Sequence, residues 1–186
     1  MKTREKILHS AKELFSKKGY HNTTVEEIVR HAGLSKGAFY FYFKSKEELF
    51  KHLIENVYEE IVRKLSEWEK NSEEKEEAII GFVLELGKKL YEEKEIVDIF
   101  LFHMVAHGEE FRNLYFQKTS DLKRRIKALM KSEELGEDEA DILTDILMGF
   151  LRQMVLEYIL KETKPLEFIR EKLRRGTEIL LRGVRV

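Results

Sequence analysis

The chain has 186 residues and a formal net charge of −1, and this length suits a small domain followed by a larger one. It contains no cysteine, which excludes disulfides and thiolate metal sites. Because it has one proline and ten glycines and its apolar residues recur at helical spacing, we predict an all-α protein of about nine helices.

The apolar segments are short. The longest of them, residues 96–106, is interrupted by Asp98 and His103 and is shorter than the ~20 residues that a membrane span requires. The N-terminal apolar residues are separated by charged ones, which is not typical of a signal peptide. We therefore expect a cytoplasmic protein that does not enter a membrane.

Charge is distributed unevenly along the chain. Residues 1–51 contain eleven Lys and Arg against six Asp and Glu, a net of +5. Residues 52–186 contain twenty-three against twenty-nine, a net of −6. A basic end on a nearly neutral chain indicates that this end is the one to face nucleic acid.

Two short helices are predicted between Thr24 and Phe43. Thr24 and Glu27 have the spacing of a capping box that opens the first helix. Gly33 follows the last apolar position, where a left-handed residue would end that helix. Ser35 then offers a second N-cap. Two helices joined by a tight glycine turn form a helix-turn-helix.

The second helix has two different faces. Phe39 and Phe43 are spaced i, i+4 and are predicted to face inward, whereas Gly37, Tyr40 and Phe41 point the other way. Ser45 and Glu48 have the spacing of a further capping box, which opens the next helix.

No acidic residue lies between Val29 and Lys46. The basic residues in or at the end of that stretch are Arg30, His31, Lys36, Lys44 and Lys46. Such a surface suits phosphate oxygens, and a glycine lets the backbone approach a groove closely. Tyr40 and Tyr42 could instead be packing residues with hydrated hydroxyls, but charge and motif together favour DNA binding.

The segment TVEEIVRHAGLSKGAFYFYFKSKEEL, residues 24–49, resembles the N-terminal signature of the tetracycline-repressor (TetR) family of bacterial transcriptional regulators. The resemblance covers about the first fifty residues. It implies a homodimer that binds a palindromic double-stranded DNA operator as a repressor and is released when a small-molecule effector enters its C-terminal domain.

On this resemblance we predict a set of DNA-contacting residues. They are Thr24, Ser35, Lys36, Gly37, Ala38, Tyr40, Phe41, Tyr42 and Lys46. Lys46 matches the family position that grips a phosphate, and Lys36 is expected near base edges. Phe41 stands where the family commonly has a polar side chain, so an apolar contact such as one with a thymine methyl is expected there.

The division that we predict is a helix-turn-helix DNA-binding domain at residues 1–46 and a helical ligand-binding and dimerisation domain at residues 47–186. The helix predicted over residues 46–71 has no breaker. It would therefore join the two domains as a rigid rod that can transmit a tilt.

The two C-terminal helices carry more apolar residues than helices with one solvent-facing side need. The helix predicted to end near Glu162 has two apolar faces: Leu143, Leu147, Phe150 and Met154 on one, and Met148, Leu151, Val155 and Ile159 on the other. After Pro165, the last helix is striped by Leu166, Ile169, Leu173, Leu180 and Val184. We predict that these helices form the dimer interface; the alternative is that they pack only within the monomer.

Residues suited to an apolar ligand pocket come from several predicted helices. They are Phe82, Leu86, Phe100, His103, Met104, His107, Phe111, Tyr115, Met148, Leu151 and Met154. Each could equally be plain core, and the resemblance favours a pocket for an apolar or amphipathic ligand. The alternative function is a constitutive dimeric DNA-binding protein whose C-terminal domain only dimerises.

Enzymatic and metal chemistry find little support. His103 and His107 are spaced i, i+4 as metal ligands can be, but Met104 stands where a zinc protease needs a glutamate. We find no phosphate-binding glycine loop, nucleophile elbow or Cys–His pairing. We therefore predict a protein that is not an enzyme and uses neither a metal nor a cofactor.

Overall fold

The computed structural model of the protein describes residues 2–105, 108–130 and 135–183. Within those ranges the chain contains nine α-helices and no strand, which confirms the predicted all-α fold. None of the helices described combines the length and apolarity that a membrane crossing requires.

The helices follow one another in chain order. They are α1 Thr3–Lys18, α2 Val25–Ala32, α3 Lys36–Tyr42, α4 Lys46–Asn71, α5 Lys75–Glu92, α6 Lys94–Asp98, α7 Glu109–Met130, α8 Glu137–Gln153 and α9 Leu166–Arg182. The predicted uninterrupted helix over residues 46–71 is confirmed.

Two helices continue as π-helical segments, which the sequence did not predict. Ile99–Met104 follows α6, and Met154–Lys161 follows α8. In a π-helix the hydrogen bond runs from residue i to i+5 instead of i+4. Residues 99–104 are apolar on almost every side, so their pattern does not reveal which of the two windings they adopt.

The chain divides into two compact units, and the first comprises residues 1–57 and 95–112. Its core includes Phe15, Tyr20 and Phe50, whose ring centroids lie 5.2 to 5.9 Å apart. Edge-to-face and tilted contacts of this kind stabilise a small core beyond the area they bury. We call α1–α3 together with the first turns of α4 the head.

The second unit comprises residues 58–94 and 113–186. Close packing at two glycines fixes its helices: a Cβ added at Gly81 would overlap the Trp68 ring, and one added at Gly176 would overlap the Phe150 ring. Protein interiors have no spare volume for such atoms. The glycines therefore set how α5 packs on α4 and how α9 packs on α8.

Candidate nucleic-acid interface

Local hydrogen bonds define the start of α2. The Thr24 hydroxyl accepts a bond from the Glu27 backbone N–H at 3.3 Å, and the Glu27 carboxylate accepts one from the Thr24 backbone N–H at 2.9 Å. Lys18 lies 2.5 Å from the same carboxylate. These partners, Lys18 first, lower the pKa of Glu27 to about 2. The predicted capping box is confirmed.

Gly33 ends α2 in the left-handed region, with φ of 66°. A residue with a Cβ would be strained there, whereas glycine adopts this conformation freely. The chain can therefore turn within two residues toward Ser35. The Ser35 hydroxyl accepts a bond from the Ala38 backbone N–H at 3.2 Å and caps α3. The tight turn between α2 and α3 that defines the motif is thereby built as predicted.

Two phenylalanines hold α3 against the core of the head. Phe39 and Phe43 are buried, and their ring centroids lie 5.7 Å apart. Phe43 is the residue that caps α3, in extended conformation with φ of −141°. The inward role predicted for both rings is confirmed, and it leaves the opposite face of α3 to the solvent.

Three consecutive aromatic residues lie on the solvent side of α3. Phe41 exposes 80 % of its surface, and Tyr40 and Tyr42 are exposed as well. Packing inside the head does not require these rings, because Phe39 and Phe43 fill that role. Exposed aromatic clusters on a small domain indicate a binding surface.

Gly37 lies on the same exposed side of α3. A Cβ added there would meet only the Ser35 hydroxyl, at an ordinary contact distance of 3.7 Å. Because neither its backbone conformation nor its packing in the free protein calls for glycine, the missing side chain keeps this part of α3 open to an approaching partner.

The two lysines of the predicted contact set are both engaged in the free protein. Lys36 forms an ion pair with Glu26 of α2, which raises the pKa of Lys36 and lowers that of Glu26. The sequence did not predict this partner, since Glu26 precedes Lys36 by ten residues and meets it only through the turn.

Lys46 ties α4 to the connection between α1 and α2. Its ammonium donates hydrogen bonds to the backbone carbonyls of Tyr20 and Thr23, each at 2.8 Å. Burial lowers the pKa of Lys46. An ammonium has three donors, and these two bonds use two of them. Lys44, which is exposed, is a further cation beside α3 that the predicted contact set omitted.

The capping box predicted at the start of α4 forms differently. The Ser45 hydroxyl accepts from the Glu48 backbone N–H at 3.1 Å as expected, but the Glu48 carboxylate accepts from the backbone N–H of Lys44, not from that of Ser45. Glu48 therefore reaches one residue further back, to the residue that precedes the helix cap.

The predicted ligand-lining residues are divided between the two units. Phe100, Met104 and Phe111 are buried in the first unit, and the Phe100 and Phe111 rings lie 6.4 Å apart. In the second unit Phe82, Leu86, Leu151 and Met154 are buried, and Tyr115 and Met148 are half-buried. The His103 side chain and His107 lie outside the described part of the chain.

An open cleft of about 390 Å³ lies in the second unit. Its lining residues are Trp68, Glu74, Glu76, Glu77, Ile80, Gly81, Leu84, Glu85, Arg170 and Arg174. It shares no residue with the predicted ligand set. Among the side chains that the structure places, no three His, Cys, Asp or Glu come together as a metal site would require.

A tight two-helix motif whose second helix exposes aromatic and basic residues defines a helix-turn-helix DNA-binding protein. Comparison with known proteins supports this class. Residues 7–53 match the family described as bacterial regulatory proteins, tetR family, and residues 77–180 match the tetracyclin repressor-like C-terminal domain.

Three relatives show how far the likeness extends. The uncharacterized HTH-type transcriptional regulator YfiR of Bacillus subtilis is 32% identical, over 73% of this chain and 68% of that protein. A crystal structure of a transcriptional regulator of the TetR/AcrR type from Aquifex aeolicus is 45% identical, with a TM-score of 0.81 over 96% of this chain and 99% of that one. IcaR of Staphylococcus epidermidis, named as a negative transcriptional regulator of a biofilm operon, is 34% identical over 30% of each chain.

The chain therefore belongs to the TetR family of bacterial transcriptional regulators, and it is a DNA-binding regulator, not an enzyme.

Proposed function

We propose that this regulator is a cytoplasmic repressor that binds a palindromic operator as a homodimer and leaves it when a small apolar or amphipathic molecule binds. Residues 1–46 would bind DNA, and residues 47–186 would dimerise and bind the effector. The observation that carries the DNA-binding part is the exposed aromatic face of α3, held outward by buried Phe39 and Phe43.

The contacts on DNA follow from what each exposed group can do. Tyr40 and Tyr42 carry hydroxyls that suit phosphate oxygens. Phe41 has no hydrogen-bonding group and is the most exposed of the three rings, so we assign it an apolar contact with a thymine methyl in the major groove. Lys36 would reach a guanine edge, and Lys46 a phosphate.

Thr24, Ser35, Gly37 and Ala38 would bring the backbone close to the DNA. The hydroxyls of Thr24 and Ser35 are occupied by the caps of α2 and α3. Their contribution is therefore to fix the two helix starts, and any contact with phosphate would use the remaining capacity of each hydroxyl.

Dimerisation through α8 and α9 is supported by apolar residues that the monomer leaves uncovered. Ile142 and Ile146 on α8 are spaced i, i+4, and both expose more than half of their surface, as does Ile179 on α9. By contrast Leu147, which the sequence pattern placed on an interface face, is fully buried within the monomer. The exposed isoleucines are the better candidates for contact with a second copy.

The repressor role and the effector rest on separate grounds. The name of IcaR states negative regulation, and its 34% identity to this chain over 55 residues supports the same role here. Phe82, Leu86, Leu151 and Met154, which are buried in the second unit, are side chains of the kind that lines sites for apolar ligands. The competing function is a constitutive DNA-binding dimer without an effector.

Selection of bound duplexes from a random pool tests the proposal. We expect a palindrome whose half-sites lie roughly 34–36 Å or a little more apart, because two copies of α3 enter successive major grooves. A single non-repeated site would contradict the dimeric reading. A screen of hydrophobic compounds by thermal shift then separates the two functions, since only an effector-responsive protein gains stability from a ligand and loses operator affinity with it.

A further inference from the structure

Glu26 and Lys36 form an ion pair across the helix-turn-helix turn. Glu26 lies in the first turn of α2, and Lys36 is the first residue of α3. Each side chain exposes more than half of its surface, 55% for Glu26 and 56% for Lys36. The pair therefore lies on the surface of the head, at the start of the helix that carries the exposed aromatic residues.

The neighbouring carboxylate has a different role. Glu27 is held by Lys18 and by the backbone N–H of Thr24, and it closes the cap of α2. Glu26 takes no part in that cap, and the structure gives its carboxylate no other cation within the described residues. Exposed ion pairs of this kind add little to folding stability, so the fold does not need Glu26.

Glu26 can influence DNA binding through the charge of Lys36. Each lysine that neutralises a phosphate releases a counterion and adds to non-specific affinity. A lysine whose charge is partly offset by a neighbouring carboxylate adds less to that affinity. A paired ammonium still has free donors, and these can reach base-edge acceptors such as the O6 and N7 of guanine.

We propose that Glu26 is a specificity-determining residue: it withholds the Lys36 ammonium from the phosphate backbone of random DNA and orients it toward a base edge at the operator. This inference rests on the proposed contact of Lys36 with a base. It makes Glu26 a positioning residue that acts through Lys36 and lowers non-specific binding more than operator binding.

The test measures binding to a random duplex and to the selected operator over a range of salt concentrations. For Glu26→Gln we expect the salt slope on random DNA to steepen by ~0.9 and the affinity there to rise about three- to tenfold. Operator affinity should change less, because the glutamine carbonyl still accepts from Lys36, so the ratio of specific to non-specific affinity falls.

The Lys36→Ala background identifies the cause. In that background Glu26→Gln should change neither the slope nor the affinity, because no ammonium remains to be freed. An equal rise in both backgrounds would mean that Glu26 merely repels phosphates and would overturn the proposal, as would an unchanged slope in the single variant. Glu13→Gln, which removes a charge from α1 that pairs with His9 and His31, is the matched control and should leave the ratio unchanged.

The base contact of Lys36 and the role of Glu26 can be tested separately. If Lys36→Ala leaves base preference at the operator unchanged, the proposed base contact is wrong. If Lys36→Ala alters base preference but Glu26→Gln leaves the specificity ratio intact, only the inference about Glu26 is wrong.

Discussion

The ammonium of Lys46 lies 4.2 Å from the centre of the Tyr20 ring and donates a hydrogen bond to the carbonyl of the same residue. A second bond goes to the carbonyl of Thr23. One side chain thus ties both ends of the α1–α2 connection to the start of α4.

Lys46→Ala should consequently lower both stability and DNA affinity. Hydrogen bonds to a charged group contribute about 1.5–3 kcal/mol each when well made, and partial exposure reduces this, so we expect a loss of about 1–3 kcal/mol in the free energy of unfolding. Operator and random DNA should be bound more weakly to a similar degree, and the salt slope should become shallower by about one if a phosphate contact is lost. Denaturant titration together with salt-dependent binding separates the two effects: a loss of stability with an unchanged slope would leave Lys46 only its structural role.

Gly37→Ala should affect folding and binding in opposite directions. Alanine is favoured over glycine in a helix by ~0.5–1 kcal/mol, and the structure has room for the added methyl group. The methyl would nevertheless lie between α3 and the groove wall, at a cost of ~1–3 kcal/mol in binding if the contact is close. A variant that melts at the same or a higher temperature yet binds the operator as tightly as the parent would disprove the close approach.

Lys36→Ala should relax base discrimination at one position in each half-site. The expected loss there is ~1–3 kcal/mol, whereas the other positions should keep their preferences. Binding of a panel of operators with single substitutions measures this directly. A uniform loss across the panel would instead assign Lys36 to the phosphates.

The oligomeric state is testable with the exposed isoleucines of α8. We expect sedimentation at micromolar concentration to give twice the chain mass of 22.2 kDa. Replacing Ile142 and Ile146 together by glutamate should yield monomers, since buried unpaired charges at an interface are costly. Phe116→Glu is the control, because Phe116 is similarly exposed but lies on α7. A monomeric parent protein would refute the proposed assembly.

Leu151→Trp should mimic or block the effector. Leu151 is buried in the second unit. The larger indole ring of a tryptophan at this position would occupy volume that the proposed ligand would use. We expect the variant to show a smaller thermal shift with any compound that stabilises the parent, and a change in operator affinity equivalent to ~1–3 kcal/mol of coupling. Compounds that stabilise the parent strongly while leaving operator affinity unchanged would favour the constitutive function.

Local features of the head could be predicted from sequence because their partners lie within a few residues of each other. The Thr24–Glu27 cap, the left-handed Gly33 and the inward Phe39 and Phe43 all depend on helical spacing alone. The cap at Ser45 was only half right, since Glu48 can reach either of two adjacent backbone N–H groups, and it takes that of Lys44.

Contacts between distant residues could not be predicted in the same way. Glu26 meets Lys36, and Lys46 meets Tyr20, only after the helices have packed. On α8 the sequence pattern selected Leu147 and Leu151, which are buried in the monomer, because apolar stripes that face the core and apolar stripes that could face a second copy look alike in a sequence. Only the accessible surface distinguishes Ile142 from Leu147.

The Phe150 ring resting on Gly176 has a consequence for assembly. If α9 slid along α8 by one residue, that ring would face Arg175 or Thr177 in place of Gly176, and each of these carries a Cβ that the glycine lacks. The two helices therefore pack in a single register. This register fixes the spacing between Ile146 and Ile179 within the monomer. A preassembled pair of helices would lose little conformational entropy on pairing, so a modest apolar patch could support the proposed dimer.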